Sequence, residues 1–530
     1  MKKNITEKLI YLVISLFLGL TISLKLQIDY TTKVPEYFIN RVNLDLFFYV
    51  KSIAIGFICY FVLQLILKLL SKINTKEMIV PFSSKLICSI SFIGILITNL
   101  IFLLTYYPGS NMNDTLLIIQ GPISSSSQHP IIYNLLLSGT FRIFNSLFNN
   151  MNTAFFFTSF IQIIVMAIII TYLINWFNKT FKNKFGTIFL LLYFIFLPIV
   201  ANYNTVLLKD SLFSIILLLH IPLLYKLIET NGDCLRSIKY LLLMLLAFLF
   251  TILIRNNGLY IILFLSIIIL FMYKKYWKQF ISTILITILI SQIPNLFITK
   301  YEPLFQEKVG VLIQQLAYTI TYDENKLSDS DLTYLNKIMD IDKIKENYNP
   351  YSVDTLKWNK DFNHEYLNKT KSKFIKVWFS NLPTHFESYL KGYILTTYEL
   401  WSIEKFNPIQ SKFLGIDKTD YYDQDYYKEL NNKQIFPNSI QNILESFYKN
   451  TIIFFGNGTC FWILIVLSLL AIYKEKKELV ILSIPFIGIW LTLMISAPIS
   501  YAFRYVSPYL YALPFILLII LCYKRKETKI

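Results

Sequence analysis

The sequence predicts an all-α polytopic membrane protein, with about twelve transmembrane helices and one mostly helical polar domain on a single side. Three observations carry that prediction. Of 530 residues, 55% are hydrophobic and only 16% charged, and the mean hydropathy is +0.51, which is not the composition of an ordinary soluble globule. Apolar runs of bilayer-spanning length recur along the chain. The net charge of +17 would point to nucleic acid in a soluble domain, but the lysines gather in short segments between the apolar runs, the pattern that orients membrane helices. Membrane topology accounts for the charge, and no nucleic-acid partner is expected.

The opening "MKKNITEKLIYLVISLFLGLTISLKL" combines a charged start with a long apolar stretch and no small-residue cleavage site, so it reads as an uncleaved first helix. With the run at 46–70 it makes a two-helix unit, residues 1–84. Residues 85–299 form a core of runs at 85–105, 153–176, 185–201, 206–228, 237–254, 257–273 and 279–298, with an outer loop at 106–150. Residues 300–450 are polar and rich in Tyr, Asn and Lys. Runs at 451–473, 479–496 and 503–523 and a basic tail complete residues 451–530. The five cysteines show no metal-type spacing and imply no disulfide framework.

Parity orients these twelve runs. With both termini cytoplasmic, the inner segments hold Lys2, Lys3, Lys8, Lys68, Lys72, Lys76, Lys85, Lys179, Lys182, Lys184, Lys226, Arg236, Lys239, Lys274, Lys275, Lys278, Lys474, Lys476, Lys477 and the tail cations Lys524, Arg525, Lys526 and Lys529. The stretch 131–148, "IIYNLLLSGTFRIFNSLF", is interrupted by Ser138, Gly139, Thr140 and Arg142. If it also crossed, every later lysine cluster would face outward, against the positive-inside bias, so it is expected to lie along the outer surface. Residues 300–450 then face outward as an extracytoplasmic domain. Within it "DSDLTYLNKIMD" offers an Asp cap before an apolar stripe, and "SKFIKVWFSNLPTHFESYLKGYILTTYELW" has helical spacing with a break at Pro383. The only low-complexity tract is Ser124–Ser127.

This topology brings unusual polar residues to one outer face. Asp114 and His129 lie in the first outer loop, Lys209 and Asp210 in "NYNTVLLKDSLF", Arg255 in "LIRNNGLY" and Arg504 in "SYAFRY". Each has a structural reading too. An arginine can be an interfacial anchor, Lys209 and Asp210 a local ion pair, His129 a turn residue before Pro130, and Asp114 a helix cap. Tyr106, Tyr107, Trp401 and Tyr505 read as an interface belt. Together, however, three cations suit the phosphate of a lipid-borne substrate, and a carboxylate beside them could take the proton of an incoming hydroxyl.

In order, "YPGSNMNDT…QHPIIYNLL", "NYNTVLLKDSLFS", "IRNNGLY" and "YAFRYVSPYLYALPFIL" resemble the bacterial multi-spanning glycosyltransferases of the GT-C fold, closest to an uncharacterised Gram-positive branch with a PG…D…HP signature. The resemblance covers roughly residues 85–523. It implies a polyprenyl-phosphate-linked sugar as donor, inversion at the anomeric carbon, and an acidic residue of the first outer loop as general base. Asp114 matches that base, Lys209, Arg255 and Arg504 would bind the donor phosphate, and His129 and Asp210 would support them. Many relatives carry paired acidic residues in this loop, whereas here Asn113 precedes Asp114; a divalent metal would therefore have only Asp210 or His129 to add to Asp114.

The expected activity is transfer of that sugar to an extracytoplasmic cell-envelope acceptor: a glycan, lipid or protein. The alternatives are a transporter or flippase of lipid-linked sugars and a glycan polymerase or ligase of another fold. Transporters commonly place ionisable residues near the midplane between inverted repeats, whereas the charges here gather at one boundary. Pro108 and Gly109, in "YYPGSNMNDT", would stop a membrane helix at the surface and turn the chain so that Asp114 sits over an arriving head group.

Overall fold

The described parts of the apolar runs are mainly helical in the computed structural model, which describes residues 5–27, 42–73, 80–121, 129–296, 305–323, 327–403, 414–418, 425–452, 454–496 and 499–524. Among the described residues all regular elements are helical, and extended backbone pairs only in two isolated bridges, Ser110 with Val206 and Ser352 with Ile499. Ser124–Ser127 and the cations Lys2, Lys3, Lys76, Arg525, Lys526 and Lys529 lie outside the described residues.

Among the described residues eight helices are long and apolar enough to cross a membrane, or up to eleven if each of three bent pairs counts as one span. This count and the sequence-based twelve part company at three places. Ile131–Phe148 is one uninterrupted helix and qualifies as a span by length and composition. Gly258–Met272 and Lys274–Pro294 meet at 110° and are counted together, and Ile238–Ile254 is a shorter apolar helix of 17 residues. A further bend, of 58°, separates Lys184–Phe196 from Pro198–Thr205, where Pro198 has no N–H to continue the ladder and instead opens the second helix.

The two ends of the bundle differ in chemistry. At one end, Trp176, Phe181, Tyr225 and Tyr523 form a chain of ring contacts, Asn178 exchanges hydrogen bonds with the backbone of Phe82, and Lys474 and Lys476 donate to the carbonyls of Ser71 and Ile520. The turns bearing Lys72, Lys182, Lys226, Lys474 and Lys476 therefore share this end. At the other end Ser110 pairs with Val206, Asn457 Nδ2 donates to Ser500 O (2.6 Å), and Lys25 Nζ donates to Ile403 O (2.7 Å). Ile131–Phe148 belongs here: its buried Tyr133, Leu137 and Phe141 cluster with Leu116, Ile119, Ala154, Phe155 and Leu207.

Residues 300–450 divide into pieces with different allegiances. The helices between Phe305 and Thr397 build a separate apolar core around Leu316, Leu335, Leu356, Leu367 and Phe374. Ser328, not an Asp, caps the helix Asp329–Asn336, its hydroxyl accepting from Asp331 N, while Asp329 and Asp331 sit in the first turn. The break at Pro383 separates Lys371–Asn381 from Phe386–Thr397. Tyr398, Leu400 and Trp401 then enter the main transmembrane-type core, where Trp462 Nε1 donates to Trp401 O and Trp490 Nε1 to Leu400 O. Trp401 (4% exposed) and Tyr106 (7%) are therefore core residues, not members of an interface belt.

Candidate functional site

The helix Ser84–Thr105 ends in the turn Tyr106–Pro108, closed by Gly109 N donating to Tyr106 O (2.8 Å). Gly109 has φ of +143°, and a Cβ there would stand 2.8 Å from Ser159 Oγ and 3.0 Å from the Phe155 ring. Only glycine suits both that backbone and that close approach. Beyond it, the short helix Asn113–Gln120 is fixed from two sides. Thr115 Oγ1 accepts from Met112 N (3.1 Å) and donates to Leu207 O (2.5 Å). From the other side, Asn111 exchanges hydrogen bonds with the backbone of Asp417 (2.7 and 2.9 Å), and the Tyr427 hydroxyl donates to Leu116 O (2.6 Å). Asp114 is thus a first-turn residue of an already capped helix, and its carboxylate turns to other partners.

Lys209 arrives on an irregular stretch, Val206–Leu208, between two helices. Backbone left out of a ladder inside an apolar bundle needs substitute partners. Gln162 supplies them, its Nε2 donating to Asn204 O (3.0 Å) and Val206 O (2.7 Å). Arg504 sits on the single turn Phe503–Val506, which is stitched to the Lys209–Leu218 helix: Ser507 Oγ lies 2.8 Å from both Arg504 O and Ser214 Oγ, either of which can accept its one proton, and Ser214 Oγ donates to Asp210 O (2.6 Å).

All six residues singled out from the sequence converge, in two layers. In the outer layer Asp114 Oδ2 stands 3.3 Å from Arg504 Nη1 and 3.6 Å from Lys209 Nζ, and Lys209 Nζ is 2.6 Å from His129 Nδ1. The side chains of Asp114, Lys209 and Arg504 are 25%, 15% and 11% exposed, so the layer is reachable. In the inner layer Arg255 Nη1 meets Asp210 Oδ1 at 2.9 Å, with side chains 8% and 0% exposed. Lys209 and Asp210, neighbours in sequence, therefore serve different layers rather than each other. Arg255 is paired inward with Asp210, its guanidinium 5.3 Å from the ring centres of both Phe213 and Tyr505.

Tyr505, expected from the sequence in an interface belt, instead joins the two layers. Its hydroxyl accepts from Arg504 Nη2 (2.8 Å), while its ring contacts both arginines. Its place directly after Arg504 is the only local signal. Arg504 Nε and Asp210 Oδ2 are buried without a hydrogen-bond partner among the described residues.

Burial would raise the Asp114 pKa, but the nearby Lys209 and Arg504 charges outweigh it and hold the carboxyl well below the usual carboxylate range. Burial, with the Lys209 charge, pushes His129 down to about 3. Neutral His129 then accepts from the Lys209 ammonium at Nδ1, leaving its proton on Nε2. Among the described residues no group of three or more His, Cys, Asp and Glu side chains is arranged to hold a metal ion.

These features define an all-helical protein with long apolar helices and a charged, partly accessible cluster at one end of its bundle. The chain belongs to a family of unknown function, DUF6020, which matches residues 117–529 and so takes in His129, Lys209, Asp210, Arg255 and Arg504, beginning just after Asp114. No curated protein and no solved structure matches it.

Proposed function

We propose that the protein is a GT-C-like membrane glycosyltransferase that moves a sugar from a polyprenyl-phosphate-linked donor to an extracytoplasmic acceptor of the cell envelope. The observation that carries this reading is the outer layer of the cluster, where one carboxylate and two cations converge within reach of solvent. In this reading twelve helices cross the cell membrane, Ile131–Phe148 lies along its outer face, and both termini are cytoplasmic.

The chemistry follows from the residue types. Asp114 takes the proton of the acceptor hydroxyl as its oxygen bonds the anomeric carbon. The bond from that carbon to the phosphate oxygen breaks with its electron pair on the phosphate, and attack opposite the leaving group inverts the centre. Lys209 and Arg504 bind the charge that develops on the departing polyprenyl phosphate. Arg255, tied to Asp210, positions Tyr505 and through it Arg504, instead of meeting the phosphate itself. Asp114, His129 and Asp210 are the groups from which any divalent metal would draw ligands, and no step needs one.

The test is mass spectrometry of lipid-linked sugars and envelope glycans from cells producing the wild-type protein or Asp114→Asn. The variant should accumulate one polyprenyl-phosphate sugar and lose one sugar-sized increment from an envelope glycan. Unchanged glycans alongside a shift of lipid-linked sugar between membrane leaflets would replace this reading with a flippase.

A further inference from the structure

The Asp114 carboxylate and a leaving phosphate in this site would compete for the same two cations. Asp114 Oδ2 takes both contacts through one oxygen, at 3.3 Å from Arg504 Nη1 and 3.6 Å from Lys209 Nζ. Close charge-assisted contacts run at about 2.7–2.9 Å, and the inner pair Arg255–Asp210 reaches 2.9 Å. The outer carboxylate is therefore shared loosely and the inner one is bound tightly.

The two cations do not depend on Asp114 for their positions. Lys209 makes its shortest contact, 2.6 Å, to His129 Nδ1. Arg504 donates to Tyr505 Oη at 2.8 Å and contacts Met112 Sδ at 3.2 Å, and its buried Nε has no partner among the described residues. His129, Tyr505 and Met112 are neutral holders, which keep a cation in place without cancelling its charge. Among the described residues Asp114 is the one carboxylate in this layer, from a side chain 25% exposed, while Asp210 acts on both cations from the layer beneath.

We infer that Asp114 is the resting counter-ion of the phosphate subsite: it occupies Lys209 and Arg504 until a phosphate monoester or diester displaces it, and displacement frees it to accept a proton. This rests on the phosphate reading of the site given above. The donor thereby activates its own base. While paired to two cations, the carboxylate is a poor proton acceptor, because protonation would forfeit both contacts. Once the phosphate takes the cations, Asp114 lies beside an anion instead, and its affinity for a proton rises.

The experiment uses full-length protein in detergent micelles, with farnesyl phosphate as a soluble polyprenyl phosphate and calorimetric titration as the readout. Wild-type protein should bind it, and Asp114→Asn should bind about tenfold more tightly, since the ligand no longer has to displace a charged competitor. In an Arg504→Gln background the same Asp114→Asn change should give a much smaller gain, because half of the contested contact is already gone. A second readout covers a folding defect. Ligand-free Asp114→Asn should melt below wild type, with its two cations uncompensated, and farnesyl phosphate should raise its melting temperature by more than it raises the wild type's.

Equal or weaker binding by Asp114→Asn would overturn the counter-ion role while leaving the phosphate site intact. A tenfold gain that persists undiminished in the Arg504→Gln background would also overturn it, reducing Asp114 to a source of general repulsion. Absence of binding by both wild type and Asp114→Asn would remove the phosphate site itself, and this inference with it.

Discussion

Asp114 and Arg504, 390 positions apart in the chain, meet at 3.3 Å across the mouth of the charged cluster. One stands in the first turn of the short helix after the Tyr106–Pro108 turn, the other on the single turn before the final long helix. Two segments far apart in the chain are thus joined at the site.

Arg504 is held by several weak contacts rather than one strong partner, so its charge is available to a ligand. Arg504→Ala should weaken donor use by about 10- to 100-fold, the equivalent of one charge-assisted contact of about 1.5–3 kcal/mol. Arg504→Lys should recover only part of this, because an ammonium can neither reach Tyr505 and a phosphate in one plane nor make a bidentate contact. Steady-state transfer at varied donor concentration checks it. An alanine variant with an unchanged donor dependence would make Arg504 an anchor.

His129 gives the site a pH signature. Its folded pKa, near 3, lies below the ordinary imidazole value, so between those limits the unfolded chain binds a proton that the folded one does not. Stability contributed by neutral His129 is complete above about pH 6.5 and falls as pH drops toward 3. Asp114 has a depressed carboxyl, so its contribution is complete above the unfolded carboxyl value of about 3.9 and is lost as pH falls below it. Melting temperatures between pH 7 and 4.5 should therefore decline for the wild type and decline less for His129→Asn. Parallel declines would mean that His129 is not held neutral by burial and Lys209.

Gln162 carries a structural load rather than a catalytic one. Gln162→Leu keeps the approximate size but leaves the buried carbonyls of Asn204 and Val206 without their donor. The expected cost is about 1–3 kcal/mol for each carbonyl left unpaired. Thermal unfolding in detergent should show a lower midpoint, and Lys209, three residues beyond Val206, should lose its register with Asp114. A midpoint equal to wild type would show that other groups satisfy this backbone.

How much of this was legible in the sequence depends on the length scale of the cause. The helices follow from long apolar runs, and Gly109 announces its own positive φ after Pro108. The gathering of Asp114, His129, Lys209, Asp210, Arg255 and Arg504 followed from topology alone, since each lies at an element end assigned to one side. Their pairings did not follow. Nothing local distinguishes Arg255, paired with buried Asp210, from Arg504, whose Nε has no hydrogen-bond partner among the described residues. The grip of Asn111 on Asp417, across 306 positions, has no periodic signature. Ser328 displaced the expected Asp cap because the helix begins one residue earlier than the acidic pair suggests. Trp401 resembled an interface residue by composition, yet its indole donates to Thr397 Oγ1 (3.0 Å) inside the core.

The placement of the two ends is testable by labelling. In a cysteine-free background, a cysteine replacing Asp340 should react with an impermeant maleimide added to intact cells, and one replacing Thr180, beside the lysine-rich end, should react only after permeabilisation. Asp340 caps a helix of the polar domain and Thr180 lies in the last turn of Met151–Phe181. Reaction at position 180 in intact cells would invert the membrane orientation and put the charged cluster in the cytoplasm.

Asp114→Asn is the most exposed prediction. An acceptor hydroxyl is a poor nucleophile at neutral pH, and a positioned general base contributes about 100-fold to 10,000-fold. Asparagine keeps the size of the side chain and removes the base. The helix does not lose its cap, because Thr115 Oγ1 holds Met112 N, the Asn111 side chain is tied to the Asp417 backbone, and the Leu116 carbonyl accepts from the Tyr427 hydroxyl. The variant should therefore insert and bind donor, yet transfer sugar more slowly by about that 100- to 10,000-fold factor. Asn113→Ala should have a much smaller effect, since the base stays in place. Asp114→Glu separates charge from position: it retains a carboxylate but moves it by one methylene, and a misplaced base costs about 100-fold. Single-turnover transfer with a saturating donor isolates the chemical step from binding. Near-wild-type turnover by Asp114→Asn in that assay would take away the catalytic role and leave the cluster as an anion-binding site, the arrangement a flippase would need.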